Sequence, residues 1–135
     1  MSECELLCIP PEHIDLVWRK VRPLIVSGVE RCDFSDFASV ECDVLSNDAL
    51  LWVAYDGKEI AGALVTQITK TEKRKICTLV AGGGHGRKRW LGLLDQIEQY
   101  AKAEGCSVTR IIGREGWAAV LPAYHQRCVV LERDL

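Results

Sequence analysis

Residues 50–70 read LLWVAYDGKEIAGALVTQITK, and the Asp56-Gly57 pair near their centre constrains the chain more than any other feature. A D-G dipeptide between two runs rich in β-branched and aromatic residues is the strongest short-range hairpin signal, because a tight turn between twisted strands needs positive φ. Strands are predicted at 50–55 and 59–69. A lone hairpin is marginal in water, so the rest of the chain has to extend this pair and cover it.

The polar segment 70–74 turns the chain again, and 75–81, KICTLVA, is the next strand, ending at a glycine run. From Arg87 the period changes. Trp90, Leu93, Leu94, Ile97, Tyr100 and Ala101 share one face of a 3.6-residue helix, with Asp95, Gln96, Gln99 and Lys102 opposite and Gly105 where a left-handed C-terminal residue belongs. Residues 107–112 read as a strand, Gly113 as a breaker, 115–121 as a short helix stopped by Pro122, and 128–131 as a last strand. Ahead of the hairpin, 4–9 is a short strand and Pro10-Pro11 opens a helix over 12–21. Phe37, Val40 and Val44 predict a second helix over 35–45 behind Ser35 as its cap. This order predicts a single α/β (α+β) domain over residues 1–135, with a mixed central sheet flanked by helices.

The composition fits an ordinary globular domain. With 48% hydrophobic residues, 27% charged residues and a net charge of -2, it argues against disorder and against a globally basic nucleic-acid binder. No apolar run is long enough to span a bilayer, and MSECELLCIPPEH lacks the order of a signal peptide, so a cytoplasmic protein is expected. The seven cysteines show no C-x-x-C spacing, and with three histidines they form no metal-ligand pattern; no metal is expected. Reduced, mostly buried thiols are the expectation.

The stretch AGGGHGRKRWL, from Ala81, puts Arg87, Lys88 and Arg89 at a helix start, where the unpaired N–H groups are already positive. Neither G-x-x-x-x-G-K-[ST] nor G-x-G-x-x-G is present. A strand, a glycine turn and a helix start nevertheless form a general anion site, and an anion would account for the added cations. The alternative is a plain tight turn followed by a solvated helical turn, since helix-end charge effects are only about 0.3–1 kcal/mol each.

The element order and the glycine positions resemble the GNAT superfamily of acyl-CoA-dependent N-acetyltransferases. In that family a loop [QR]-x-x-G-x-[GA] binds the pyrophosphate of acetyl-CoA; here Gly84 and Gly86 match its last two positions and Ala81 stands at the first. The resemblance implies acetyl-CoA as cofactor, with backbone groups of Ala81 and Gly82 on the pantetheine arm. It places Gly84, Gly86 and Arg87 at the pyrophosphate, with Lys88 and Arg89 adding charge. In GREGWAAVLPAYHQR, residues 113–127, the family has a helix N-x-x-A-x-x-x-Y whose tyrosine protonates the departing CoA thiolate. Tyr124 takes that role on this resemblance, or else packs.

The implied function is an N-acetyltransferase acting on an unidentified amine, with acceptor choice in residues 12–45. No general base is assigned, because KICTLVA carries no carboxylate. With one strand expected after the last helix, the chain also resembles shortened phage and prophage members. The alternative that follows is a catalytically inactive GNAT-fold structural or interaction protein, such as a virion component with a protein partner. Nucleic-acid binding through Arg87, Lys88, Arg89, Arg110 and Arg114 is disfavoured by the acidic net charge and the missing aromatic pattern.

Overall fold

The turn at Asp56-Gly57 forms as the sequence predicts. In the computed structural model, which describes residues 4–30, 36–85, 91–112 and 116–135, one Asp56 carboxylate oxygen accepts from the backbone N–H groups of Lys58 and Glu59, each at 2.8 Å. Gly57 takes φ 97°. The turn joins β2 (Leu50–Tyr55) to β3 (Ile60–Lys70), and a second turn, in which Thr71 Oγ1 accepts from the N–H groups of Lys73 and Arg74, leads to β4 (Lys75–Gly84). β1 (Glu5–Cys8) lies antiparallel to β2, and β5 (Val108–Ile111) lies parallel to β4. The mixed sheet has the order β1-β2-β3-β4-β5.

One face is covered by α1 (Ile14–Glu30) and α2 (Phe37–Leu45). Helix α1 follows a 3-10 turn at Pro11–His13 and buries Ile14, Trp18, Val21, Ile25 and Val29, a stripe of helical spacing. It therefore runs nine residues past its expected end, through Pro23. A proline inside a helix costs about 3 kcal/mol, and burial of Ile25 and Val29 against the sheet offsets it. Helix α2 is capped by Asp36, whose carboxylate accepts from Ser39 N at 2.9 Å, in place of the expected Ser35, which lies outside the described residues. That backbone bond is the main reason the Asp36 carboxyl sits below its ordinary pKa. The two helices are joined by Trp18 Nε1 and Arg22 Nε, which donate to one Glu41 oxygen at 2.7 and 3.3 Å, while Phe37 stacks on Trp18.

The other face is covered by α3 (Leu94–Ala103), entered through a 3-10 turn at Leu91–Leu93, and by the short α4 (Gly116–Val120). Leu94, Ile97 and Ala101 are buried, and Tyr100 meets Trp52 edge-on at 5.2 Å. The expected start at Arg87 and the apolar position Trp90 lie outside the described residues. Gly105, at φ 86°, ends α3 as predicted: Cys106 N–H reaches Ala101 O and Gly105 N–H reaches Lys102 O, which satisfies two terminal carbonyls.

Two expectations are corrected. Residues 128–131 form no strand; the chain from 125 to 135 has no regular structure and is exposed, because strand propensity is realised only against a partner ladder. The thiols are not mostly buried. Among the described cysteines Cys77 is buried, Cys4 and Cys106 are half-buried, and Cys8, Cys42 and Cys128 are exposed, at the end of edge strand β1, on α2 and in the tail.

Helix α1 rests on β4 backbone against backbone. A Cβ at Gly28 would overlap the carbonyl of Gly82, and one at Gly83 would overlap the carbonyl of Leu24. Neither neighbour is a flexible side chain that could move aside. Gly28→Ala and Gly83→Ala are each expected to destabilise the protein by about 1–3 kcal/mol in chemical denaturation, whereas Gly92→Ala, whose Cβ would enter open space, is neutral or mildly stabilising.

Candidate functional site

β4 outruns its parallel neighbour. The two strands pair from Ile76 with Val108 to Leu79 with Ile111, and there β5 ends, while β4 continues through Gly84 on β3 alone. Val80 is an extra residue in the ladder, because Thr66 faces Leu79 and Val65 faces Ala81. A bulge bends its strand and raises the local twist. Here it sits at the first position beyond the β5 pairing. Past that position the β5-side backbone edge of residues 80–84 has no strand paired to it among the described residues, which leaves an opening in the sheet.

The bulge also sets which way the wall faces. Val80 and Ala81 both pack toward α1, Gly82 lies over the Leu64 side chain on the α3 face, and Gly83 lies under Leu24 of α1. Ala81, Gly82 and Gly83 are half-buried, and Gly84 and His85 are exposed. His85 N–H donates to Ala61 O at 2.7 Å, which extends the β3 edge by one bond. Of the residues predicted for anion and cofactor contacts, Ala81, Gly82 and Gly84 therefore lie on this strand end and not in a turn. Gly86, Arg87, Lys88 and Arg89 lie outside the described residues.

Tyr124 is placed apart from the opening. Its hydroxyl is 2.8 Å from Thr109 Oγ1 on β5 and 2.8 Å from Glu98 Oε2 on α3, and its backbone N–H donates to Leu121 O. The carboxylate can only accept, so the phenol donates to Glu98 and accepts from Thr109. Thr109 faces Cys77, two residues before the last paired position, roughly 7 Å along the strand. Burial, aided by Glu98, pushes the Tyr124 phenol up to about 12 despite the Thr109 bond. The phenol is thus a proton holder at neutral pH. Cys77 is buried, and burial pushes its thiol up to about 11, so at neutral pH it is held as the thiol and not as the nucleophilic thiolate.

Neither β4 nor β5 carries a carboxylate. Glu98 and Thr109, the partners of Tyr124, and Gly28, which brings α1 onto β4, were not singled out by sequence. Gly28 had a legible signal, since a glycine inside an amphipathic helix weakens it unless something packs there.

No protein-family model and no curated protein sequence matches the chain. Solved structures do. An aminoglycoside acetyltransferase from an uncultured soil metagenomic sample superposes with TM-score 0.69 at 18% identity, covering 100% of this chain and 98% of that one. An aminoglycoside N-acetyltransferase in complex with CoA gives 0.67 at 14% identity, covering 99% and 96%. A GNAT family acetyltransferase of Staphylococcus aureus gives 0.64 at 12% identity over the full length of both chains. The chain has the GNAT fold, as a mixed five-stranded α/β domain; at these identities the likeness is one of architecture.

The Tyr124 bonds have consequences for stability. Tyr124→Phe is expected to lower it by about 1–2 kcal/mol at neutral pH, since a half-buried carboxylate loses its donor. Tyr124 and Tyr100 both titrate near 12, and Cys77 near 11, above their ordinary values. The folded chain holds these protons longer than the unfolded one, so the contribution of Cys77 is intact below about pH 8 and that of the two tyrosines below about pH 9, and they are lost as pH rises through 11 and 12 respectively. Urea unfolding at stepped alkaline pH should show that decline, and a shallower one between pH 10 and 12 in Tyr124→Phe.

Proposed function

We propose that the chain is a GNAT-type N-acetyltransferase of the cytoplasm that transfers the acetyl group of acetyl-CoA to an amine. The observation that carries this reading is the five-residue overhang of β4 beyond β5. It leaves a strand edge, half-buried from 80 to 83 and with no strand paired on the β5 side among the described residues, against which an amide-bearing pantetheine arm fits by its own chemistry. Ala81 and Gly82 would hold that arm through backbone groups. Gly84, Gly86 and Arg87 would hold the pyrophosphate, with Lys88 and Arg89 adding charge. The thioester, when bound, supplies an acyl group already activated for attack by nitrogen. Residues 12–45 would form the acceptor side, and amino sugars are the first acceptors to screen, since fold neighbours include aminoglycoside acetyltransferases.

Tyr124 is the proposed acid for the leaving thiolate. It holds its proton at neutral pH, and to deliver it the phenol has to leave Glu98. A second reading, a GNAT-fold interaction protein without turnover such as a virion component, is favoured by that same bond and by the missing carboxylate on β4 and β5.

Millimolar acetyl-CoA is expected to raise the melting temperature, because a ligand at a hundred times its Kd adds about 2.7 kcal/mol to the folded state. An unchanged melt together with no heat in calorimetry would overturn the cofactor assignment. Arg87→Glu is expected to weaken CoA binding, because it replaces a cation proposed for the pyrophosphate with an anion, while leaving the free protein as stable as before. Turnover that falls about a hundredfold in Tyr124→Phe with CoA affinity unchanged supports the acid role. Full activity in that variant makes Tyr124 a packing residue, and binding without thiol release across an amine panel supports the second reading.

A further inference from the structure

Moving an acyl group from sulfur to an amine nitrogen obliges a proton to leave nitrogen and a proton to reach sulfur, and neither β4 nor β5 carries a carboxylate to take the first. The Tyr124 phenol cannot take it unaided, because it already holds its own proton. A phenol oxygen accepts a proton at neutral pH only while it gives one away, which requires a base on its other side. Glu98 Oε2, 2.8 Å away and already accepting from the phenol, is such a base.

We propose that Glu98 and Tyr124 form a proton relay for the acetyl transfer proposed above, on which this inference rests, with Tyr124 exchanging protons with the reacting atoms and Glu98 as a positioning residue that acts through it. As nitrogen bonds the acyl carbon, the phenol oxygen takes a proton from nitrogen and passes its own to Glu98. As the carbon–sulfur bond breaks with its electron pair on sulfur, Glu98 returns its proton to the phenol oxygen and the phenol gives one to sulfur. A proton has then crossed from nitrogen to sulfur, and the pair is back in its starting state. Protonation of Glu98 is also what lets the phenol leave it as an acceptor, since a carboxylic acid donates where the carboxylate could only accept.

The surroundings suit this exchange. Thr109 Oγ1, 2.8 Å from the phenol oxygen, donates to it and so steadies the negative charge that develops there, while leaving an acceptor position for the incoming proton. The phenol lies about 7 Å along β5 from the end of its pairing with β4, a gap within reach of one or two bridging waters. Of the described groups whose charge acts on the phenol, Cys77 is held as the thiol by burial, so at neutral pH Glu98 is the anion beside it.

Glu98→Gln keeps an accepting oxygen at the same reach and removes the charge and the capacity to store a proton. With tyrosines isotopically labelled at Cζ, the Tyr124 resonance, assigned by its loss in Tyr124→Phe, reports ionisation in the free protein by NMR. Glu98→Gln is expected to lower the Tyr124 midpoint by about one pH unit from about 12, with Tyr100 unmoved. With acetyl-CoA and glucosamine, lysine or hydroxylamine as the amine, Glu98→Gln and Tyr124→Phe are each expected to cut kcat about a hundredfold at unchanged KM for acetyl-CoA, and the double variant to be no slower than either. Wild-type turnover in Glu98→Gln, an unmoved Tyr124 resonance, or losses that multiply in the double variant would each overturn the relay and leave the proposed acetyl transfer standing. A wild-type protein that releases no thiol from acetyl-CoA with any of these amines overturns both.

Discussion

The contact of α1 with β4, made backbone to backbone through Gly28, Gly82 and Gly83, is the constraint from which the rest of the arrangement follows. A helix normally stands about 10 Å from the sheet it covers, with side chains filling the space. Removing the side chains at the crossing point brings the helix axis closer and makes the sterically permitted position nearly unique. That position places Ile25 and Val29 over the sheet, which sustains the helix beyond Pro23, and sets α2 at the correct distance for Trp18 and Arg22 to share Glu41. It also occupies the α1 face of the last β4 residues. What those residues offer to anything else is their backbone edge on the side where β5 has ended.

The two faces of the sheet are held differently. On the α1 face the cluster around Val21, Ile25, Val44 and Val65 is apolar, and polar links lie at its rim. On the α3 face polar groups are buried within the packing and satisfied there: Trp52 Nε1 donates to Thr66 Oγ1 at 2.9 Å. The Tyr124 cluster continues that pattern at the sheet edge, tying α3, β5 and the segment after α4 through one hydroxyl. Buried polar groups that are fully partnered specify position more narrowly than apolar packing does, so this face has less freedom to slide.

What was legible in the sequence is what local chemistry decides. The hairpin was readable because Asp56 satisfies its own turn, and α3 because its stripe and Gly105 stop are both local. The second half of α1 was not, since Pro23 argues for a stop and only tertiary packing overrules it. The tail failed in the opposite sense: Val129 to Leu131 has strand propensity, and a strand also needs a partner. Glu98 and Thr109 lie 26 and 15 residues from Tyr124, a separation over which no periodicity carries information. The glycines read as a loop because a regular alternation of KICTLVAGGG gives no reason to continue the strand, and the pairing with β3 that does continue it was invisible.

The extra residue at Val80 deserves to be followed to its end. Were position 80 absent, Leu79 and Ala81 would alternate normally, each still opposite its present partner on β3, and the ladder from Lys75 to Gly84 would be regular. Nothing in the antiparallel pairing requires the insertion. What it changes is the direction in which the last part of β4 travels, and hence whether a parallel neighbour can follow it. The gap in the sheet is thus encoded by the number of residues in one strand more than by their identity, a frame-like property that a substitution at position 80 leaves largely in place and a one-residue deletion removes. Chains of this architecture can accordingly drift far in sequence while keeping the opening, provided the count between the two paired stretches is kept.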